Sequence, residues 1–105
     1  MTTNATELSS TNKKHLRRIG HSLTPIVTVA GKGLSENVVA ELNRALDDHE
    51  LIKVKLAVGD KAARQAVINE ISTTCEAQVV QTIGHIALLF KKSAHPDPKL
   101  SNLLR

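Results

Sequence analysis

Ile26-Val27-Thr28-Val29-Ala30-Gly31-Lys32-Gly33-Leu34-Ser35 passes from a β-branched apolar run, through a glycine loop, to a residue suited to cap a helix. Strand, glycine loop and helix N-terminus in that order predict an anion-binding geometry. The loop N–H groups and the positive end of the helix dipole converge where Lys32 adds a full charge. The expected anion is nucleic-acid phosphate. The loop is not a Walker A motif, because Gly33 follows the lysine where Ser or Thr is required, and it is not a dinucleotide fingerprint. Two glycines in a strand-to-helix turn ordinarily answer a backbone need for φ > 0. The cation between them, Lys32, turns the reading toward contact with an anion.

Outward from this stretch, apolar periodicity sets the other elements. Residues 8–23 predict a helix that Ser9 or Ser10 can cap, with Leu16, Ile19 and Leu23 at i, i+3, i+7 spacing. At about 100° per residue, Lys13, Lys14, Arg17, Arg18 and His21 fall within an arc of roughly 140° opposite that stripe. Thr24-Pro25 closes the helix and opens a strand over residues 26–29. Ser35 caps a second helix running to His49, whose outer face carries Glu36, Glu41, Arg44, Asp47 and Asp48. Residues 51–58 alternate, with Ile52, Val54, Leu56 and Val58 on one face and Lys53 and Lys55 side by side on the other. Asp60 caps a third helix over residues 61–74, with Ala63, Val67 and Ile71 inward and Lys61 and Arg64 near its start. Gln78–Ile83 and Ile86–Phe90 then form a hairpin about Gly84-His85. The expected fold is an α/β sandwich of order αβαβαββ with a four-stranded mixed sheet. Residues 1–8 are expected as a mobile tail, residues 9–92 as one domain, and residues 93–105, with Pro96 and Pro98, as an extended tail.

Charge is distributed unevenly. The 105 residues carry a formal net charge of +4. Residues 8–33 hold five Lys or Arg and no Asp or Glu, whereas residues 36–50 hold five acids against Arg44. A basic end suits a polyanion and the acidic helix face does not. Cys75 is the one cysteine, which excludes an intrachain disulfide and a Cys-based zinc site. His15 and His21 are six apart, unsuited to a shared metal on one helix face, and no HExxH or CxxC occurs. Asp47 and Asp48 diverge on a helix and make a poor acid/base pair. No catalytic constellation is found, so neither an enzyme, a cofactor nor a small-molecule substrate is expected. The polar start of the chain does not resemble a signal peptide, and no apolar run approaches the ~20 residues needed to span a bilayer. A cytoplasmic protein without membrane partners is expected.

Aromatic content decides how RNA could be read. With one Phe and no Tyr or Trp, the chain lacks the stacking platforms of RRM, cold-shock or single-strand-binding OB domains. Binding must then rest on phosphates, 2′-hydroxyls and shape, and a glycine loop clamping the backbone, as in KH domains, fits that constraint. Four blocks carry a family resemblance: Leu16-Arg17-Arg18-Ile19-Gly20-His21-Ser22-Leu23-Thr24-Pro25, Gly33-Leu34-Ser35-Glu36-Asn37-Val38, His49-Glu50-Leu51-Ile52-Lys53-Val54-Lys55, and Ile83-Gly84-His85 through Leu88-Leu89-Phe90-Lys91. In that order they resemble the bacterial single-domain CRM proteins (chloroplast RNA splicing and ribosome maturation), similar to the YhbY group. The resemblance implies a fold like the C-terminal domain of translation initiation factor 3, RNA binding, and association with precursors of the large ribosomal subunit.

Two positions depart from the family pattern. Its loop is usually Gly-x-x-Gly, and Ala30 stands where the first glycine belongs. A methyl there obstructs φ > 0 at a cost of about 1 kcal/mol or more, and a one-residue shift would hand that role to Gly31. Phe90-Lys91 replaces the usual Tyr-Arg, removing a hydroxyl and a bidentate phosphate fork. The resulting expectation is a monomeric, non-enzymatic ribosome-assembly factor. Its RNA footprint combines Lys13, Lys14, Arg17, Arg18 and His21 with the loop residues Gly31, Lys32 and Gly33, and with Lys53, Lys55 and Lys91. The alternative is a protein-interaction module that docks its partner on the acidic helix or on residues 100–104.

Overall fold

The computed structural model describes residues 10–31 and 34–92; Lys32, Gly33 and the two expected tails lie outside the described residues. Its elements are α1 (Ser10–Gly20), β1 (Pro25–Ala30), α2 (Glu36–His49), β2 (Leu51–Ala57), α3 (Lys61–Cys75), β3 (Gln78–Ile83) and β4 (Ile86–Phe90). This is the αβαβαββ order and the mixed four-stranded sheet that the periodicity predicts.

The caps act where the sequence indicates. Ser35 Oγ accepts from the Val38 N–H at 3.2 Å and Asp60 Oδ1 from the Ala63 N–H at 2.9 Å, each satisfying a first-turn donor. The first helix is shorter than its apolar stripe suggests. It ends at Gly20, and Leu23 follows a turn in which the Ser22 hydroxyl donates to the Ile19 carbonyl. Leu23 still packs on the cluster below the helix, so the stripe marks burial beyond the helical backbone.

The sheet order is β1-β2-β4-β3. β1 and β2 pair in parallel across the α2 crossover, while β4 pairs antiparallel with both β2 and β3. β1, β2 and β3 therefore run the same way, and β4 fills the gap that the α3 crossover leaves between β2 and β3. The turns after β1, β2 and β3 lie at one end of the sheet. There the Leu56 N–H donates to the His85 carbonyl at 2.6 Å, and the Gly31 N–H to Ala57 at 3.2 Å.

The two sheet faces are covered unequally. Ile52, Val54, Leu56, Val27, Val29 and Leu89 pack beneath α2 and α3 and join Leu42, Leu46, Val67, Ile68 and Ile71 in the main core. Among the described residues, the opposite face carries only α1, seated over β2 and β3, where Leu16 closes on Leu51, Val80 and Leu88. Close seating depends on Gly20, since a Cβ there would lie 2.6 Å from Leu88 Cδ2. None of the described helices covers β1 on that face, and Ile26 is 49% exposed.

Both helix-to-strand returns are made by glutamates. A single residue, Glu50, separates α2 from β2 and takes φ 63°, with its N–H on the Leu46 carbonyl at 2.8 Å. Glu76 ends α3 in the left-handed region at φ 54°, ψ 42°. No glycine marks either reversal, so the sequence carried no signal for them.

Two stability measurements test this account. Gly20→Val should cost about 1–3 kcal/mol through overpacking against Leu88. In urea titrations the loss should shrink when Leu88→Ala is added, and simple additivity would contradict the contact. Glu76→Gly should raise stability by about 0.5–1 kcal/mol, because the left-handed penalty it removes exceeds the entropy it adds.

Candidate nucleic-acid interface

The alternation of β2 divides its residues between core and site. Lys53 and Lys55 leave the core side and stand on the face that α1 half covers. Register then fixes their neighbours: Lys53 lies between Pro25 of β1 and Leu88 of β4, and Lys55 between Thr28 and Ile86. Lys13 and Arg17 of α1, with His21 in the turn just past its end, form one i, i+4, i+8 row, and Lys14 and Arg18 a second row beside it. Arg17, His21 and Lys53 line one groove of about 190 Å³, with Gln81, Ile83 and Ile86 among its other walls. Two elements far apart in sequence thus bring three of the expected residues together. Among the described residues, none of the groove's lining is acidic. Glu36, Glu41 and Asp47 are exposed on α2, which packs on the opposite face of the sheet.

The remaining expected residues are distributed around this groove or away from it. Lys14, Arg18 and Lys55 are exposed and Lys13 is half-buried, all outside its lining. Gly31 ends β1 with φ +21°, while Ala30 stays in the strand paired with Ala57. The positive φ falls on Gly31. A Cβ on Gly31 would meet nothing within 4 Å, so backbone conformation, not space, asks for glycine there. Lys32 and Gly33 lie outside the described residues. Lys91 is not brought to the groove. It lies at the other end of the sheet, where its N–H meets the Glu50 carbonyl, in a mixed-charge cleft of about 690 Å³ shared with Arg44, Asp47 and Glu76. Gln81 and Ile83 are the groove residues that sequence reasoning missed. Their only signal was their place beside Ile86 and Leu88 in the hairpin register.

Cys75 is buried at the C-terminal end of α3. Burial pushes its thiol pKa up, and the charge of Lys91 pulls weakly the other way. Among the described residues, no group of three or more His, Cys, Asp or Glu is placed to hold a metal ion. No helix among them is long and apolar enough to cross a membrane.

A family model, the CRS1 / YhbY (CRM) domain, matches residues 8–91. The chain belongs to the CRM domain family. It is 46% identical over 98 residues to a protein of Pseudomonas aeruginosa named a probable RNA-binding protein, covering 93% of this chain and 94% of that one. It is also 47% identical over 88 residues to an RNA-binding protein of Haemophilus influenzae, covering 84% and 89%. A solution structure of a Staphylococcus aureus protein superposes with a TM-score of 0.75 at 25% identity, covering 85% of this chain and 93% of that one. The CRM resemblance carried by the four sequence blocks therefore holds for family and fold.

The buried thiol gives a direct test. Cys75 should react with a thiol reagent such as DTNB only as fast as the domain opens. The folded state holds the thiol neutral, so its contribution to stability is complete below the ordinary thiol range and erodes as pH rises through it. Labelling should accelerate there in step with the loss of stability. Rapid labelling at neutral pH without unfolding would contradict the burial.

Proposed function

We propose that this CRM chain is an RNA-binding factor acting in the cytoplasm, as a monomer, on precursors of the large ribosomal subunit. The observation that carries the reading is the groove between α1 and the sheet, where Arg17, His21 and Lys53 converge without an acid. Cations on two rigid elements present fixed donors to phosphate oxygens at little ordering cost. The names of the Pseudomonas and Haemophilus relatives support RNA as the polyanion. The loop Gly31-Lys32-Gly33 extends the grip to the RNA backbone beside β1. Lys13, Lys14, Arg18 and Lys55 enlarge the positive field, which speeds encounter more than it selects sequence. Lys91, at the far end of the sheet, is the weakest member of the footprint.

Binding to ribosomal RNA fragments should fall steeply with salt. Replacing Arg17 and Lys53 together with Ala should weaken it roughly equally across sequences and lower the log–log salt slope by about 1.5–2. Lys91→Ala should change the slope by well under half a unit. An unchanged slope in the Arg17/Lys53 double variant would overturn the site. Crosslinking in cells combined with gradient fractionation tests the target: the chain should sediment with large-subunit precursors and lose that association on ribonuclease treatment. Association that survives ribonuclease would favour a protein-docking role.

A further inference from the structure

The β3–β4 hairpin tip is bordered by basic side chains on both faces. Past the irregularity between Val79 and Gln81, the side chains of β3 alternate, so Gln81 and Ile83 face the α1 side, as Val80 also does, while Thr82 faces α3. On the α1 side lies the groove of Arg17, His21 and Lys53. On the other side, Lys61 and Arg64 of α3 line a second cleft of about 380 Å³ against Thr82 and Gly84. Among the described residues, no acid lines that cleft either; the nearby Asp60 carboxylate is engaged in capping α3. Arg64 Nη1 donates to the Gly59 carbonyl at 3.4 Å, which keeps the guanidinium beside the turn.

At the end of β3, on the side of the Arg17 and Lys53 groove that it helps to line, Ile83 is 65% exposed. A single exposed isoleucine is ordinary on a protein surface. Its position is what distinguishes it, since it stands at a turn with cations on either side. The turn is also held firmly. The His85 carbonyl accepts from the Leu56 N–H at 2.6 Å, and the His85 ring nitrogen Nδ1 lies 3.3 Å from the Leu56 carbonyl oxygen, so the tip is tied to β2.

We propose that this tip is a wedge for RNA strand junctions. Ile83 packs against an unpaired base, while Arg17 and Lys53 on one side and Lys61 and Arg64 on the other take the phosphates of the two diverging strands. The preferred substrate class is then RNA with a bulge or helix end, in place of a continuous duplex. In a paired helix the base faces are stacked and an apolar wedge must first pull a step apart, whereas an unpaired base already exposes a face that an aliphatic side chain can bury. This proposal rests on the reading of the chain as an RNA-binding protein and names the RNA it selects.

Fluorescence anisotropy of the full chain on two RNAs tests it: a fully paired hairpin, and the same hairpin carrying an unpaired bulge. The bulged RNA should bind more tightly. Ile83→Ser should weaken bulged-RNA binding about tenfold and narrow the gap between the two RNAs, with both salt slopes unchanged because no charge is removed. Lys61→Ala with Arg64→Ala should lower the slope for the bulged RNA more than for the paired one. Because Ile83 is exposed, its variant should keep the wild-type urea midpoint. Equal affinity for the two RNAs, or a bulge preference that Ile83→Ser leaves intact, overturns the wedge. Absence of binding to either RNA by the unaltered chain overturns the RNA reading instead.

Discussion

The structure depends on the two-sidedness of β2. Its backbone pairs with β1 on one edge and β4 on the other, so no residue of it can move without breaking a ladder. Its even-numbered side chains, Ile52, Val54 and Leu56, are fully buried beneath α2 and α3. With those fixed, period two leaves Leu51, Lys53 and Lys55 no choice of face. Leu51 is buried by α1, and the lysines emerge where α1 stops. A slip of one residue would place two ammonium groups in the main core, at a desolvation cost far above that of any other register. The same constraint therefore fixes the core and presents the cations.

α1 turns this strand into a site, and its position follows from a residue without a side chain. Gly20 allows the end of the helix to close on Leu88, which puts Arg17 and His21 beside Lys53. Among the described residues, α1 covers β2 and β3 and does not reach over β1. The groove is thus an edge effect, the margin of a sheet face that one helix is too narrow to cover. Cations at such a margin keep their charged ends in water while their aliphatic stems lie on the apolar sheet, the arrangement in which Lys and Arg are least costly to position.

Most of the fold was legible because it is written in local signals. Ser35 and Asp60 announce helix starts, the alternation over residues 51–58 announces a central strand, and Gly84-His85 announces a hairpin. The site was legible only in part. Lys53 and the basic row of α1 could be named from periodicity, but their meeting depends on which half of the sheet α1 covers, a tertiary fact with no sequence period. Ile83 and Gln81 had only the hairpin register with Ile86 and Leu88 to mark their face, and that they meet Arg17 and Lys53 depends again on where α1 sits. The returns at Glu50 and Glu76 were illegible on other grounds. A positive φ is normally flagged by glycine or asparagine, and here short connections force it on glutamates, of which Glu50 is buried and Glu76 exposed.

Ala30 and Gly31 show how the end of β1 divides between strand and turn. A methyl is costly at a residue where the backbone must take a positive φ. The chain does not turn at Ala30. Ala30 pairs with Ala57, and Gly31 takes the positive φ with its N–H anchored to the Ala57 carbonyl. The strand residue gains ladder pairing in exchange for loop freedom. The turn begins at Gly31, at the same end of the sheet as the hairpin tip and the first turn of α3, and opposite the end that carries Lys91. Charge, rigid turns and open sheet face coincide at that one end because β1, β2 and β3 all point toward it.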